Sequence, residues 1–220
     1  MQALQKGLWH WTAPHPEWEE GEPWDPNVSS YAIDSGEQLA LFDPLAVPDQ
    51  LLALAAERET LIILCAPWHE RDSQALVAQL DAPVYTCTPD SAEDLMRMFN
   101  VSAERAGDGS PDLKWLLRDG QGEAHVYEAG DRLPLGIQVY PGHRRNDNVL
   151  WIESHKALMV GDTLADFGEG LAINERWMID GMTRQKLLGQ LRPLLDLPFE
   201  WVLATHGGPY ERNVFERLVG

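Results

Sequence analysis

The sequence predicts an α/β protein in which two mixed sheets pack face to face with helices outside, a four-layer αββα sandwich. Three observations predict it. Strand-length apolar runs come first, between residues 29 and 42. Helix-like and strand-like segments then alternate from residue 48 to 99, the pattern of strands joined by crossover helices. A second block of strand-like runs, from 113 to 160, is followed by a helix, a strand and a closing helix. With 220 residues, 44% of them hydrophobic, the chain is long enough for one sizeable core. No internal segment reads as a linker, so residues 1–220 are expected to form one domain.

Each element has its own signal. Residues 12–27, with four prolines and a glycine, read as a loop. Ser29–Ile33 and Gln38–Phe42 read as a hairpin about a Ser35-Gly36 turn, stopped by Asp43-Pro44. PDQLLALAAER (48–58) has Pro48 near its first turn and apolar residues at helical spacing. LIILCA (61–66) is a continuous apolar run, a buried strand. Asp72 is a plausible N-cap for the helix SQALVAQL. PVYTC (83–87) reads as a short strand and SAEDLMRMF (91–99) as a helix started by Ser91. Residues 101–112 read as a loop. LKWLL, AHVYE and LGIQVY read as successive strands, and NVLWIE with KALMV as a further hairpin. Residues 183–197 form a helix whose last turn Pro193 disturbs, 201–205 a strand, and 209–219 a closing helix.

The charge balance narrows the partners. Lysine and arginine total 17 against 35 aspartates and glutamates, a formal net charge of −18. Such a surface repels nucleic acid and anionic lipid, so neither is expected as a partner and a small molecule is. The two cysteines, Cys65 and Cys87, imply no disulfide framework. The first residues lack an apolar core with a cleavage signal, and no stretch approaches the ~20 apolar residues of a membrane span. A cytoplasmic setting is expected. Four of nine tryptophans (Trp9, Trp11, Trp18 and Trp24) crowd the first 24 residues, where such rings suit either a pocket rim or the edge of the core.

Residues 139–163, VYPGHRRNDNVLWIESHKALMVGDT, carry the chemistry. His143 stands on a Pro141-Gly142 turn at the end of one apolar run, and a second run stops at Gly161-Asp162. Metal-dependent hydrolases hold their ion with histidine and carboxylate groups delivered by several strand ends.

The ordered set of motifs resembles the metallo-β-lactamase superfamily, in particular its glyoxalase II-like hydrolases. YAIDSGEQLALFDP (31–44), GDRLPLGIQVYPGH (130–143), LMVGDTLA (158–165) and LATHGGP (203–209) are similar to that family's opening hairpin, its Pro-Gly-His strand, its Gly-Asp strand and its last histidine turn. Its first motif, His-x-His-x-Asp-His, falls at LIILCAPWHERDSQAL (61–76) in degenerate form. Pro67 stands at the first histidine, His69 matches the second, Arg71 replaces the aspartate and Asp72 the last histidine.

The resemblance implies His69, His143 and Asp162 as metal ligands, His206 or Asp72 as a group assisting proton transfer, and Asp43 as support behind the ligands. Arg71 cannot ligate a cation and stays charged. Pointing inward, it would repel a second ion or take its place by pairing with Asp162 or Asp72; it could equally face solvent. Arg144 beside the pocket suits an anionic substrate group, or is simply part of a charged turn. The expected function is a divergent hydrolase of an ester, thioester, lactone or phosphoester, using at most one divalent ion (zinc, iron or manganese). The alternative is a metal-free, non-catalytic descendant that binds a ligand or partner.

Overall fold

The structure is a computed structural model and describes residues 1–22 and 24–220. Pro23, one of the four prolines of the predicted 12–27 loop, lies outside the described residues.

The chain opens with a hairpin, β1 (Gln2–Gln5) and β2 (Leu8–Pro14). Residues 12–14, predicted as loop, therefore belong to a strand. They pair in register with β3 (Asn27–Asp34), from Leu8 opposite Ile33 to Pro14 opposite Asn27, and Pro14 takes a strand end, where its missing N–H costs little. β3 turns at Ser35-Gly36 into β4 (Gln38–Phe42). Then come α1 (Asp49–Ala55), β5 (Glu59–Ile63), α2 (Ser73–Leu80), β6 (Val84–Thr86), α3 (Ala92–Phe99), α4 (Ala103–Ala106), α5 (Lys114–Leu117) and β7 (Ala124–Val126). β4 to β7 run parallel, so the first sheet has the sequential order β1 to β7.

The second sheet contains β8 (Gln138–Arg144), β9 (Asp147–Ile152), β10 (Ala157–Gly161), β11 (Trp201–Ala204) and β12 (Pro209–Glu211), with α6 (Arg184–Leu191) and α7 (Arg212–Val219) on its outer face. Its order is β12-β11-β10-β9-β8. Three apolar cores give the four layers. Tyr31, Phe42, Ile63, Leu150 and Met159 fill the space between the sheets. Leu51, Ile62, Leu76 and Trp115 join the helices to the first sheet, and Trp151, Leu187, Phe199 and Phe215 join α6 and α7 to the second. Among the described residues no helix is long and apolar enough to cross a membrane.

Several local predictions need correction. LKWLL is not a strand: residues 114–117 are the helix α5, burying Trp115 and Leu116. A short apolar run carries no period that separates the two forms. The 101–112 loop contains α4, capped by Ser102. The predicted helix 209–219 begins as β12 and turns helical only at Arg212. Asp72 does occupy the N-cap position of α2, but its side chain makes no cap bond; its carboxylate accepts instead from Ala46 N at 2.6 Å. Ser91, by contrast, forms a full capping box with Asp94. Of the early tryptophans, Trp11 is core, donating Nε1 to Leu45 O, while Trp24 lines a cavity.

Candidate metal centre

Five strands deliver side chains to one rim of the sandwich. Asp43 follows β4, His69 closes the 3-10 turn Pro67–His69 after β5, Asp162 follows β10, and His206 lies just beyond β11. His143 projects from β8, where the register with β9 shifts between Pro141 and Arg144. This bulge replaces the predicted Pro-Gly turn and re-aims the strand. Only glycine fits at 142, because a Cβ there would fall on Thr163 Oγ1 and Asp147 O.

His69, Asp162 and His206, all buried, bring one ligand atom each to within 4.8 Å of the others. Both imidazoles converge on the same carboxylate oxygen: Asp162 Oδ1 lies 3.2 Å from His69 Nε2 and 3.5 Å from His206 Nε2. Trp68 Nε1 donates to Asp162 Oδ2 at 2.8 Å, and Thr205 Oγ1 to Oδ1 at 3.3 Å. The far side of His69 is fixed as well: Nδ1 is 3.1 Å from Asp43 Oδ2, and the other Asp43 oxygen accepts from Cys65 N at 2.9 Å.

His143 lies on the same cavity wall but outside that trio. Its Nδ1 donates to Asp147 Oδ2 at 2.6 Å, and its backbone N–H to Thr163 Oγ1 at 3.0 Å. Asp147, fully buried, also accepts from Thr163 Oγ1 and from Asp162 N. It thus ties His143 to the segment that carries Asp162. Asp147 sits in the charged stretch Arg144–Asp147, where no local signal in the sequence distinguishes it from a solvated turn residue.

Arg71 is half-buried and pairs with neither Asp162 nor Asp72. Its Nη1 donates to the carbonyls of Asp43 (2.6 Å) and Ser29 (2.9 Å). Its backbone is left-handed, at φ 41°, and its buried Nε has no partner. Arg144 stacks over Trp68, 4.5 Å from the ring centroid, and is neutralised by Asp90 at 2.5 Å. Asp72, its carboxylate committed to Ala46 N, is absent from the cavity wall.

These contacts set the protonation states. Burial pulls the His69 ring down, but the Asp162 and Asp43 carboxylates outweigh it and hold the ring up at about 10. Burial pushes Asp162 up, and His69 with His206 and Trp68 overcomes that, leaving the carboxylate well below its ordinary range. His206 is lowered to about 4, mainly by burial and against the pull of Asp162. The rings of Trp24, Trp177 and Phe167 surround it with centroids 5.5, 5.5 and 5.7 Å away, and its buried Nδ1 has no hydrogen-bond partner.

Two imidazoles and a carboxylate fit one divalent ion of the zinc, iron or manganese type, with positions left open for water. The anchoring of His69 by Asp43 is the carboxylate–histidine support that metal ligands commonly have. A second ion does not fit the first motif, where Pro67 and Arg71 supply no donor. The trio faces a cavity of about 490 Å³, lined also by Trp24, Trp68, Arg71, His143, Arg144 and Trp177.

No family model matches the chain, and no curated protein matches it. Solved structures do. An archaeal metallo-β-lactamase superfamily protein from Sulfolobus tokodaii is 18% identical with a TM-score of 0.65, over 96% of this chain and 84% of that one. The protein TTHA1623, solved in a di-iron-bound form, is 26% identical with a TM-score of 0.57, over 86% of this chain and 92% of that one. The metallo-β-lactamase FIM-1 from Pseudomonas aeruginosa, solved in a mono-zinc form, is 16% identical with a TM-score of 0.57, over 97% and 90%.

Proposed function

We propose that this chain, which has the metallo-β-lactamase fold, is a metal-dependent hydrolase that works with a single divalent ion on a small ester, thioester, lactone or phosphoester. The observation that carries the reading is the convergence of His69 Nε2 and His206 Nε2 on one Asp162 oxygen at the base of a cavity. His69, Asp162 and His206 would hold the ion. When bound, it supplies a water whose pKa falls to about 7. Asp43 fixes the His69 ring through Nδ1, so Nε2 is presented to the ion. Asp147 fixes His143 through Nδ1, which leaves His143 Nε2 as the ring atom that accepts a proton. Trp24 and Trp177 exclude water from His206.

The formal net charge of −18 opposes nucleic acids and anionic membranes as partners, which supports a small-molecule substrate. The two buried, unpaired cysteines support a cytoplasmic setting.

A second reading rests on one observation. His69 finds a carboxylate for each ring nitrogen within the protein, at 3.1 and 3.2 Å, so the site is held together by its own ion pairs. In that reading the chain is a non-catalytic descendant binding a small-molecule ligand. Metal analysis of protein purified without chelator separates the two. About one equivalent, lost in His69→Ala and His206→Ala, together with turnover of p-nitrophenyl esters or bis(p-nitrophenyl) phosphate, supports the hydrolase. No uptake of zinc, iron or manganese under loading would leave the ligand-binding reading.

A further inference from the structure

The cavity's charges differ from those of the rest of the molecule. Carboxylates outnumber cationic side chains 35 to 17 in the chain, yet the lining holds three arginines against three carboxylates. Arg144 is neutralised by Asp90. Arg71 and Arg176 are not: among the described residues neither has a carboxylate within ion-pair distance.

Arg71 is held there at a cost. Its guanidinium is partly desolvated, its Nε is buried without a partner, and its φ of 41° is one that side chains bearing a Cβ resist. Costs gathered on one residue facing a cavity mark a functional constraint rather than a packing solution. Arg176 arises differently. It lies exposed on the 3-10 turn Glu175–Trp177, next to Trp177 in sequence, so one short turn brings a guanidinium and an indole to the same wall. Trp177 and Trp24 both pack edge-on to His206, with centroids 5.5 Å away, and provide flat apolar surface beside the trio.

We propose that the cavity selects a ligand joining an anionic group, a carboxylate or a phosphate, to a flat apolar body. The unpaired guanidiniums of Arg71 and Arg176 attract the anion, and Trp24 with Trp177 receives the flat body. Guanidinium is the side chain best suited to both carboxylate and phosphate. Arg176 can meet the anion with paired donors, while Arg71, its Nη1 committed to Ser29 O and Asp43 O, contributes its charge. As a statement about the substrate this deepens the hydrolase reading and rests on it; as a statement about binding it is tested without turnover.

The probes are 2-naphthoate and its neutral isostere 2-naphthamide, titrated against tryptophan fluorescence of the full chain, metal-free in EDTA and again loaded with zinc. The metal-free arm removes direct coordination of the carboxylate. Naphthoate is expected to bind about tenfold more tightly than the amide, the size of one charge-assisted contact, with the preference shrinking as salt rises. Arg176→Gln, at an exposed position, should remove at least about half of that preference in free-energy terms, a factor of about three, and Arg71→Gln with Arg176→Gln nearly all of it. Trp177→Leu should weaken both probes alike. Equal binding of acid and amide, no binding of naphthoate at millimolar concentration, or a preference that survives both arginine substitutions would overturn the proposal. Failure of metal uptake with the naphthoate preference intact would instead remove the hydrolase reading and leave the binding site standing.

Discussion

Asp147 and His143 form a closed, buried pair: the carboxylate lies 2.6 Å from Nδ1, and Asp147 has no exposed surface. The same carboxylate accepts from Thr163 Oγ1 at 2.6 Å and from Asp162 N at 3.1 Å. One side chain therefore sets the spacing between the β8 bulge and the segment after β10. Gly161 completes the fit, since a Cβ at that position would collide with the carboxylate.

Asp147→Ala strands three donors in a buried setting, and should cost about 3 kcal/mol. In a chain of this size that lowers Tm by roughly 6–12 °C. Thermal denaturation measures it, and an unchanged Tm would show that the pair does not organise the rim.

Metal uptake should release a proton. His69, held at about 10 by its two carboxylates, is charged at pH 7.5 in the metal-free chain, yet only the neutral ring can ligate. Titration calorimetry of zinc in buffers of different ionisation enthalpy should report about one proton released at pH 7.5 from this ring. His69→Gln should abolish that release together with most of the affinity. Uptake with no proton release would mean that His69 stays outside the coordination sphere.

His10 gives a pH dependence of stability with the opposite sign from His69. Its Nε2 is 2.9 Å from Ser29 Oγ, its ring stacks on Tyr31, and burial, aided by the N-terminal charge, lowers it from 6.5 to about 4. Above pH 6.5 both folded and unfolded chains carry a neutral ring, so nothing is lost. Between pH 6.5 and 4 the unfolded chain takes up a proton that the folded one refuses, and stability falls. The Tm of the wild type should therefore drop more between pH 7.5 and 5 than that of His10→Gln. His206, lowered in the same way, keeps the variant's slope from vanishing. Parallel curves for the two proteins would rule out a neutral, buried His10.

The same contrast between local and distant causes explains what the sequence could reveal. β4 and α3 were legible because their signals are local: the Ser35-Gly36 turn and Asp43-Pro44 stop bracket the strand, and Ser91 and Asp94 close a capping box three residues apart. The order of strands and helices, and with it the layered sandwich, followed from such cues. LKWLL was misread because five residues carry no period, and β2 was missed because Pro14 and Pro16 mask a strand whose place is set by its pairing with β1 and β3. His69, Asp162 and His206 stood out as isolated residues, but which histidine comes to lie beside Asp162 depends on where β8 and β11 end in space. The role of Asp147 is wholly tertiary: its three donors come from 143, 162 and 163, and nothing in Arg-Arg-Asn-Asp announces them.

His143→Ala is the variant that decides how the rim divides its labour. His143 shares the cavity with the trio but is absent from the group whose ligand atoms lie within 4.8 Å of one another. With Nδ1 committed to Asp147, its remaining nitrogen suits proton transfer, a contribution worth about 10²–10⁴ in rate. The variant should therefore keep close to one equivalent of metal while losing that factor in kcat, with KM little changed. His206→Ala should do the reverse and lose the metal itself. Metal content falling in His143→Ala as it does in His69→Ala would return His143 to the ligand set.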